Sequence, residues 1–364
     1  MNSNRKKILV AMSGGVDSSV AASILLNEGH DVAGATMRTW ASDRCASKNT
    51  KACCGITGVE DAREVADRLG IRYWVLNFEK EFKRHVVDPF ASEYLKGRTP
   101  NPCISCNEHI KFRLFLTRAR EMGYDFIATG HYAELHLDQG RNSYFISEGV
   151  DPGKDQTYVL FPLDQEVLSH LFLPLGKYSK KEIRKMAESL KLPVWNKPDS
   201  QEICFIPNHD HGEFLKKEYL NEESEPGVIR NREGKILGRH EGYFHYTRGQ
   251  RRGLGVSHSE RLYVVDTHPA QNEVIVGAKE DVLNRSCLVT KINWFLKPER
   301  EGPFYAEVKI RSQHKKSRAL IQRRDDQSAD IEFSDPQEAI TCGQAAVFYD
   351  GKRVLGGGWI EKLL

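Results

Sequence analysis

The stretch Lys7-Ile8-Leu9-Val10-Ala11-Met12-Ser13-Gly14-Gly15-Val16-Asp17-Ser18-Ser19 decides the fold. KILVA (7–11) reads as a strand, and 17–29 reads as a helix that opens on an acidic residue and serines and closes on Gly29. Between them, two glycines let backbone amides approach an anion without a Cβ in the way. The serines add hydroxyl donors, and the helix N-terminus adds its positive end. The segment reads as a phosphate cradle. It is not a Walker A loop, because Val16 stands where that loop needs lysine, which argues against γ-phosphoryl transfer by that route. Asp17 in an anion site predicts a divalent cation between carboxylate and phosphate, so Mg²⁺ is expected.

Outward from this loop, apolar runs at 32–37, 73–78 and 126–130 alternate with helix-period segments, one starting at Thr57, one interrupted by Pro89, and one over about 107–123. That alternation predicts an α/β doubly wound domain. A further helix is expected from Lys180 to Leu190 behind a Ser179 cap. NEESEPG (221–227) is a boundary cue, and beyond it short β-rich runs are divided by turn signals such as YDGK (349–352). The expected organisation is a catalytic α/β domain over 1–209, a small mixed domain over 210–282 and a C-terminal all-β, barrel-like domain over 283–364. No fixed-period repeat or low-complexity segment is evident.

The chain has 364 residues, of which 53 are Lys or Arg and 50 Asp or Glu, so a formal charge of +3 excludes a uniformly basic polyanion binder but allows a local basic face. No apolar run reaches the length of a membrane span, and the N-terminus lacks the apolar core of a secretory signal, so a cytoplasmic protein without a membrane partner is expected. Eight cysteines in such a compartment read as thiols or ligands, not as a disulfide scaffold. Cys103 and Cys106 form a C-x-x-C pair; Cys45, Cys53 and Cys54 cluster; Cys204 stands in a loop-like segment. Taken alone, Cys106 or Cys204 reads equally as a small buried apolar residue. Cys106 precedes the helix expected over 107–123, where the dipole would lower a thiol pKa. His131 follows a strand end, where it could orient phosphate or serve structure. Lys309, Arg311, His314, Lys315, Lys316, Arg318, Arg323 and Arg324 form a basic stretch suited to phosphates, or else a solvated strand face.

SGGVDS (13–18) resembles the pyrophosphate loop of the PP-loop ATP pyrophosphatases. With GRTPNPCISCNEHIKF (97–112), GVDPGKDQTYVLFPL (149–163), KPDSQEICFIP (197–207), ATGHYA (128–133) and GYFHYTRGQRRGLG (242–255), the whole chain resembles the tRNA-specific 2-thiouridylases. The resemblance implies ATP-dependent replacement of the C2 oxygen of the wobble uridine, position 34, by sulfur, with the oxygen adenylated, AMP and pyrophosphate released, and the tRNA anticodon arm as partner. It implies ATP contacts at Ala11, Met12, Ser13, Gly14, Gly15, Val16, Asp17, Ser18, Met37 and Gly130. Asn101, Pro102 and Cys103 would meet the target base, Lys154, Asp155, Gln156, Arg311 and Ser312 the tRNA, and the small central domain over 210–282 would contact the tRNA as well. Cys204 would carry a persulfide, and Cys106 would be its partner nucleophile and disulfide mate; a sulfur-donating protein or sulfide is the further partner expected. Some members carry aspartate where Cys103 stands, and many carry tyrosine where Ser312 stands. Cys103, Cys106 and Cys204 could alternatively hold a [4Fe-4S] cluster that delivers the sulfur. Another alternative is a PP-loop enzyme that adenylates a small molecule.

Overall fold

Strands β1 (Lys7–Ala11), β2 (Asp31–Arg38), β3 (Arg72–Asn77) and β4 (Phe126–Ala128), the hairpin β5 (Ala133–Asp138) and β6 (Ser143–Glu148), and β7 (Leu171–Phe172) form the first part of the computed structural model. It describes residues 5–40, 56–198, 203–206, 210–220, 224–298 and 302–364; Cys45, Cys53, Cys54 and His209 lie outside them. Five strands pair in parallel in the order β3-β2-β1-β4-β7. Ile8, Leu9 and Val10 have no exposed surface, because helices cover both faces of the sheet. Strand order reverses beside β1, so a crevice opens past the carboxyl ends of β1 and β4.

Two helices depart from the sequence pattern. Pro89 does not interrupt its helix: residues 79–95 run through a π-helical stretch, Lys83–Val87, and Pro89 follows at the start of the next α-helical run. The change of winding accommodates the missing proline N–H. The helix expected over about 107–123 spans 102–121, because the Asn101 side chain caps it by accepting from the Cys103 amide at 3.1 Å. Cys106 therefore lies in the second turn, at the start of a nine-residue π-helical stretch, Cys106–Leu114, and not before the helix. The dipole argument for its thiol weakens accordingly, since the effect fades within the first turn.

A four-stranded sheet follows, β8 (Gly227–Asn231), β9 (Ile236–His240), β10 (Tyr263–His268) and β11 (Glu273–Gly277), ordered β10-β11-β8-β9 around Ile229, Leu254, Val264, Val274 and Val276. The last strands are β12 (Leu283–Trp294), β13 (Phe304–Lys309), β14 (Ser317–Arg323), β15 (Ser328–Glu338), β16 (Ala345–Asp350) and β17 (Arg353–Leu363). Pairing of β12 with both β15 and β17 closes them into a six-stranded barrel. The β5–β6 hairpin leaves the first segment to join this sheet, Ser147 opposite Arg353. One apolar cluster consequently runs from Leu9 and Phe115 through Tyr158 and Phe161 to Val347 and Tyr349 of the barrel. No helix of the described residues is long and apolar enough to cross a membrane.

Candidate active site

The glycine-rich loop lies at the crevice. Met12 is tied to β2 through its amide on the Ala35 carbonyl and its own carbonyl, which accepts from Thr36 Oγ1 at 2.6 Å. Ser18 Oγ accepts from the Ser13 amide at 3.2 Å, which folds the loop back over the first helical turn of Val16–Asn27. Gly14 adopts φ +70°, and a Cβ there would stand 2.2 Å from the Gly58 carbonyl oxygen. At Gly130, just past β4, a Cβ would stand 2.8 Å from the Ser18 amide nitrogen. Only glycine lets these two segments meet the helix N-terminus. The 13–18 loop and Gly130 therefore meet beside the helix N-terminus, and Met37 lies near the carboxyl end of the neighbouring strand β2.

Asp17 is not left facing an anion alone. Lys180 Nζ lies 2.8 Å from both of its carboxylate oxygens, and the Tyr132 hydroxyl donates to one of them at 2.6 Å. The repulsion that predicted Mg²⁺ is met by this ammonium, whose side chain is only 11% exposed. A second lysine, Lys197, donates to the Gly14 carbonyl at 2.8 Å and pairs with Asp61. The sequence assigns neither lysine to the loop, because each lies more than 150 positions downstream; Lys180 reads as a helix start and Lys197 as the first residue of KPDSQEICFIP. His131 is buried beside Thr129, whose Oγ1 lies 2.7 Å from its Nδ1. Burial, with the Lys111 charge behind it, drives its pKa down to about 3, so a neutral ring stands there and not a phosphate-binding cation.

Cys106 is buried in the apolar cluster and Cys204 is half-buried against the same cluster, beside Phe205 and Ile206. Cys103, one turn before Cys106, is exposed. Among the described residues no three His, Cys, Asp or Glu side chains are grouped to hold a metal ion.

Asn101 and Pro102 line a cleft of about 860 Å³ between helices 79–95 and 102–121 on one side and Lys291, Asn293 and Trp359 of the barrel on the other. Burial lifts the pKa of Glu108 in its wall. Asp155 accepts from the Thr157 amide at 3.1 Å and from Lys309 Nζ at 3.2 Å, a pair only 5% and 11% exposed. Gln156 Oε1 accepts from the Tyr132 amide at 2.9 Å. Both brace the segment that carries Lys154. Arg311 donates to the Glu338 carbonyl, and Ser312 beside it is exposed. Much of the basic stretch is committed within the fold: Lys309 to Asp155, Lys316 to Glu148 and Glu307, Arg324 to Asp330, and Arg318 across the Tyr305 ring.

Comparison with known proteins covers the chain end to end. Residues 6–208 match the family described as tRNA methyl transferase HUP domain, 212–278 its PRC-barrel domain, and 284–360 the aminomethyltransferase beta-barrel domain. The chain is 48% identical over 361 residues to the tRNA-specific 2-thiouridylase MnmA of Carboxydothermus hydrogenoformans, covering 99% of each chain. It is 47% identical to the protein of the same name from Caldicellulosiruptor saccharolyticus and 44% identical to that from Clostridioides difficile, again over 99% of each.

Proposed function

The chain belongs to the tRNA-specific 2-thiouridylase family and is a tRNA sulfurtransferase, and on that premise we propose that it installs sulfur at C2 of the wobble uridine by adenylation followed by persulfide attack. ATP sits with its phosphates on the 13–18 loop, and Mg²⁺ accompanies it as the counter-ion of those phosphates. The uridine C2 oxygen attacks the α-phosphorus and pyrophosphate leaves, which turns a poor leaving group into AMP. The terminal sulfur of a Cys204 persulfide adds at C2 and the C–O bond to AMP breaks. The Cys106 thiolate then attacks Cys204 Sγ, its electron pair forming the Cys106–Cys204 disulfide while the old S–S pair stays on the base. A thiol reductant returns the disulfide to two thiols, and a sulfur-donating protein that carries a persulfide passes its outer sulfur to the Cys204 thiolate, its own thiolate leaving, which restores the Cys204 persulfide with no further oxidant.

The observation that carries this reading is that Cys106 and Cys204, far apart in sequence, pack on one apolar cluster. That environment excludes water from an adenylated base that would otherwise hydrolyse. Asn101, Pro102 and Cys103 are the side chains proposed to meet the target base; Lys154, Asp155, Gln156, Arg311 and Ser312 mark the proposed path of the anticodon arm. The test incubates the protein with tRNA transcript, Mg²⁺-ATP and a protein persulfide as sulfur donor, then reads 2-thiouridine by mass spectrometry and pyrophosphate with and without RNA. Tenfold or greater stimulation of pyrophosphate release by tRNA supports the reading. Equal release without RNA would make the chain an adenylating enzyme for a small molecule.

A further inference from the structure

The loop between β9 and β10 in the middle domain is rich in arginine and glycine, and none of the steps above uses it. Residues 247–262 contain Arg248, Arg251, Arg252 and Arg261 against one acidic residue, Glu260. The loop has no regular secondary structure, yet it is anchored at several points. Gly249 donates to the Val264 carbonyl at 2.8 Å, and Val264 donates back to the Gln250 carbonyl at 2.9 Å. Leu254 is buried in the middle-domain core, and Val256 packs on Gly238 of β9, where a Cβ would stand 2.7 Å from its Cγ1. Arg248 turns inward, bonding the Val265 carbonyl and Asn284 Oδ1 of the barrel. Gln250 braces the turn, accepting from the Thr247 amide at 3.0 Å and donating to the Arg252 carbonyl at 3.0 Å.

Between these anchors Arg251 and Arg252 are exposed, as are Arg261 and, on β9 next to Gly238, Arg239. None of these four guanidinium groups pairs with a carboxylate of the described residues. The barrel's basic stretch differs, since four of its cations are spent on neighbouring carboxylates or a ring. An arginine held on a braced turn without an acidic partner keeps its full fork of donors for an external anion at little ordering cost.

We propose that the 249–261 loop is a phosphate clamp for the tRNA backbone, with Arg251 and Arg252 as its two principal contacts and Arg239 and Arg261 flanking them. This rests on the chain acting on tRNA. It places a share of sequence-independent affinity on the middle domain, apart from the segments that handle the target base. Phosphate contacts of this kind fix the register of the RNA and carry no base information.

The test is tRNA binding to the full chain across a salt series for wild type, Arg251→Ala/Arg252→Ala and Arg251→Lys/Arg252→Lys, with the unfolding midpoint of each. Loss of two phosphate contacts is expected to weaken binding roughly 10- to 30-fold at 0.15 M salt and to flatten the slope of log K against log salt by about 1.5 to 2. The lysine variant, which keeps the charges, is expected to recover most of the slope, with unfolding midpoints alike in all three. An alanine variant with wild-type affinity and slope overturns the clamp, and so does weaker binding with an unchanged slope. Wild-type protein that does not bind tRNA at all would instead remove the functional reading on which the clamp stands.

Discussion

Lys180 Nζ holds both carboxylate oxygens of Asp17 at 2.8 Å across the N-terminus of the helix that follows the phosphate loop. The ammonium offsets the Asp17 carboxylate beside the loop proposed to take the ATP phosphates, and the Tyr132 hydroxyl shares the same carboxylate. Lys180→Met is expected to leave Asp17 uncompensated, lowering stability by about 1 to 3 kcal/mol and tRNA-dependent AMP formation at least tenfold. In a double-mutant cycle with Asp17→Asn, the stability losses are expected to be non-additive by about 0.5 to 3 kcal/mol. Additive losses in urea unfolding would show that the two side chains do not act as a pair.

Gly14→Ala tests the cradle itself. The φ of +70° and the Gly58 carbonyl 2.2 Å from the new Cβ mean the loop must shift, at about 1 to 3 kcal/mol. The expected result is a folded protein with a raised KM for ATP in pyrophosphate release. An unchanged KM would place the phosphates elsewhere.

Cys106→Ser and Cys204→Ser are each expected to reduce 2-thiouridine formation at least a hundredfold while tRNA binding persists, measured by nucleoside mass spectrometry and filter binding. Cys103→Ser is expected to retain most activity, because this thiol is exposed and apart from the apolar cluster that holds the other two. Loss of thiolation in Cys103→Ser together with loss of bound iron would favour sulfur delivery by a cluster on Cys103, Cys106 and Cys204.

His131 makes stability pH-dependent. Its folded pKa is about 3 against an ordinary value of 6.5, so below pH 6.5 the unfolded chain binds a proton that the folded chain refuses. The contribution is fully present above about pH 6.5 and declines by up to about 1.4 kcal/mol per pH unit as pH falls toward 3. The urea midpoint of His131→Gln is expected to fall less steeply than wild type between pH 6 and 4. Parallel curves would show that the ring is protonated in the fold.

Lys309→Met breaks the pair with Asp155 that joins the first segment to the barrel, where both side chains are nearly buried. Removing one partner of such a pair costs about 3 to 5 kcal/mol, because the other charge stays buried. The expected signature is a lower unfolding midpoint with tRNA affinity of the folded fraction little changed. A large affinity loss at unchanged stability would make Lys309 a phosphate contact instead.

Local pattern carried a great deal of this protein. The alternation that begins at KILVA specified a doubly wound sheet, since period-2 and period-3.6 burial are properties of neighbouring residues. SGGVDS marked the turn from β1 into the first helix, because a strand, two glycines and a helix start are contiguous. The Ser179 capping box and the helix behind it were equally legible, cap and helix being adjacent in sequence. Pro89 and the start of the helix at Pro102 were not, because the change to π winding and the Asn101 cap decide them.

What the tertiary structure alone decided is which distant charges meet. Lys180 and Lys197 reach the phosphate loop, Lys309 finds Asp155, and the cations of 309–324 are divided between holding the barrel and facing solvent. A charged side chain has no periodicity that reveals its partner. Its role depends on which carboxylate the folded chain brings within about 4 Å, where desolvation makes the pairing matter. The sequence therefore determined the layers and the loop, and the packing of three domains determined which lysines and arginines remain for a nucleic acid.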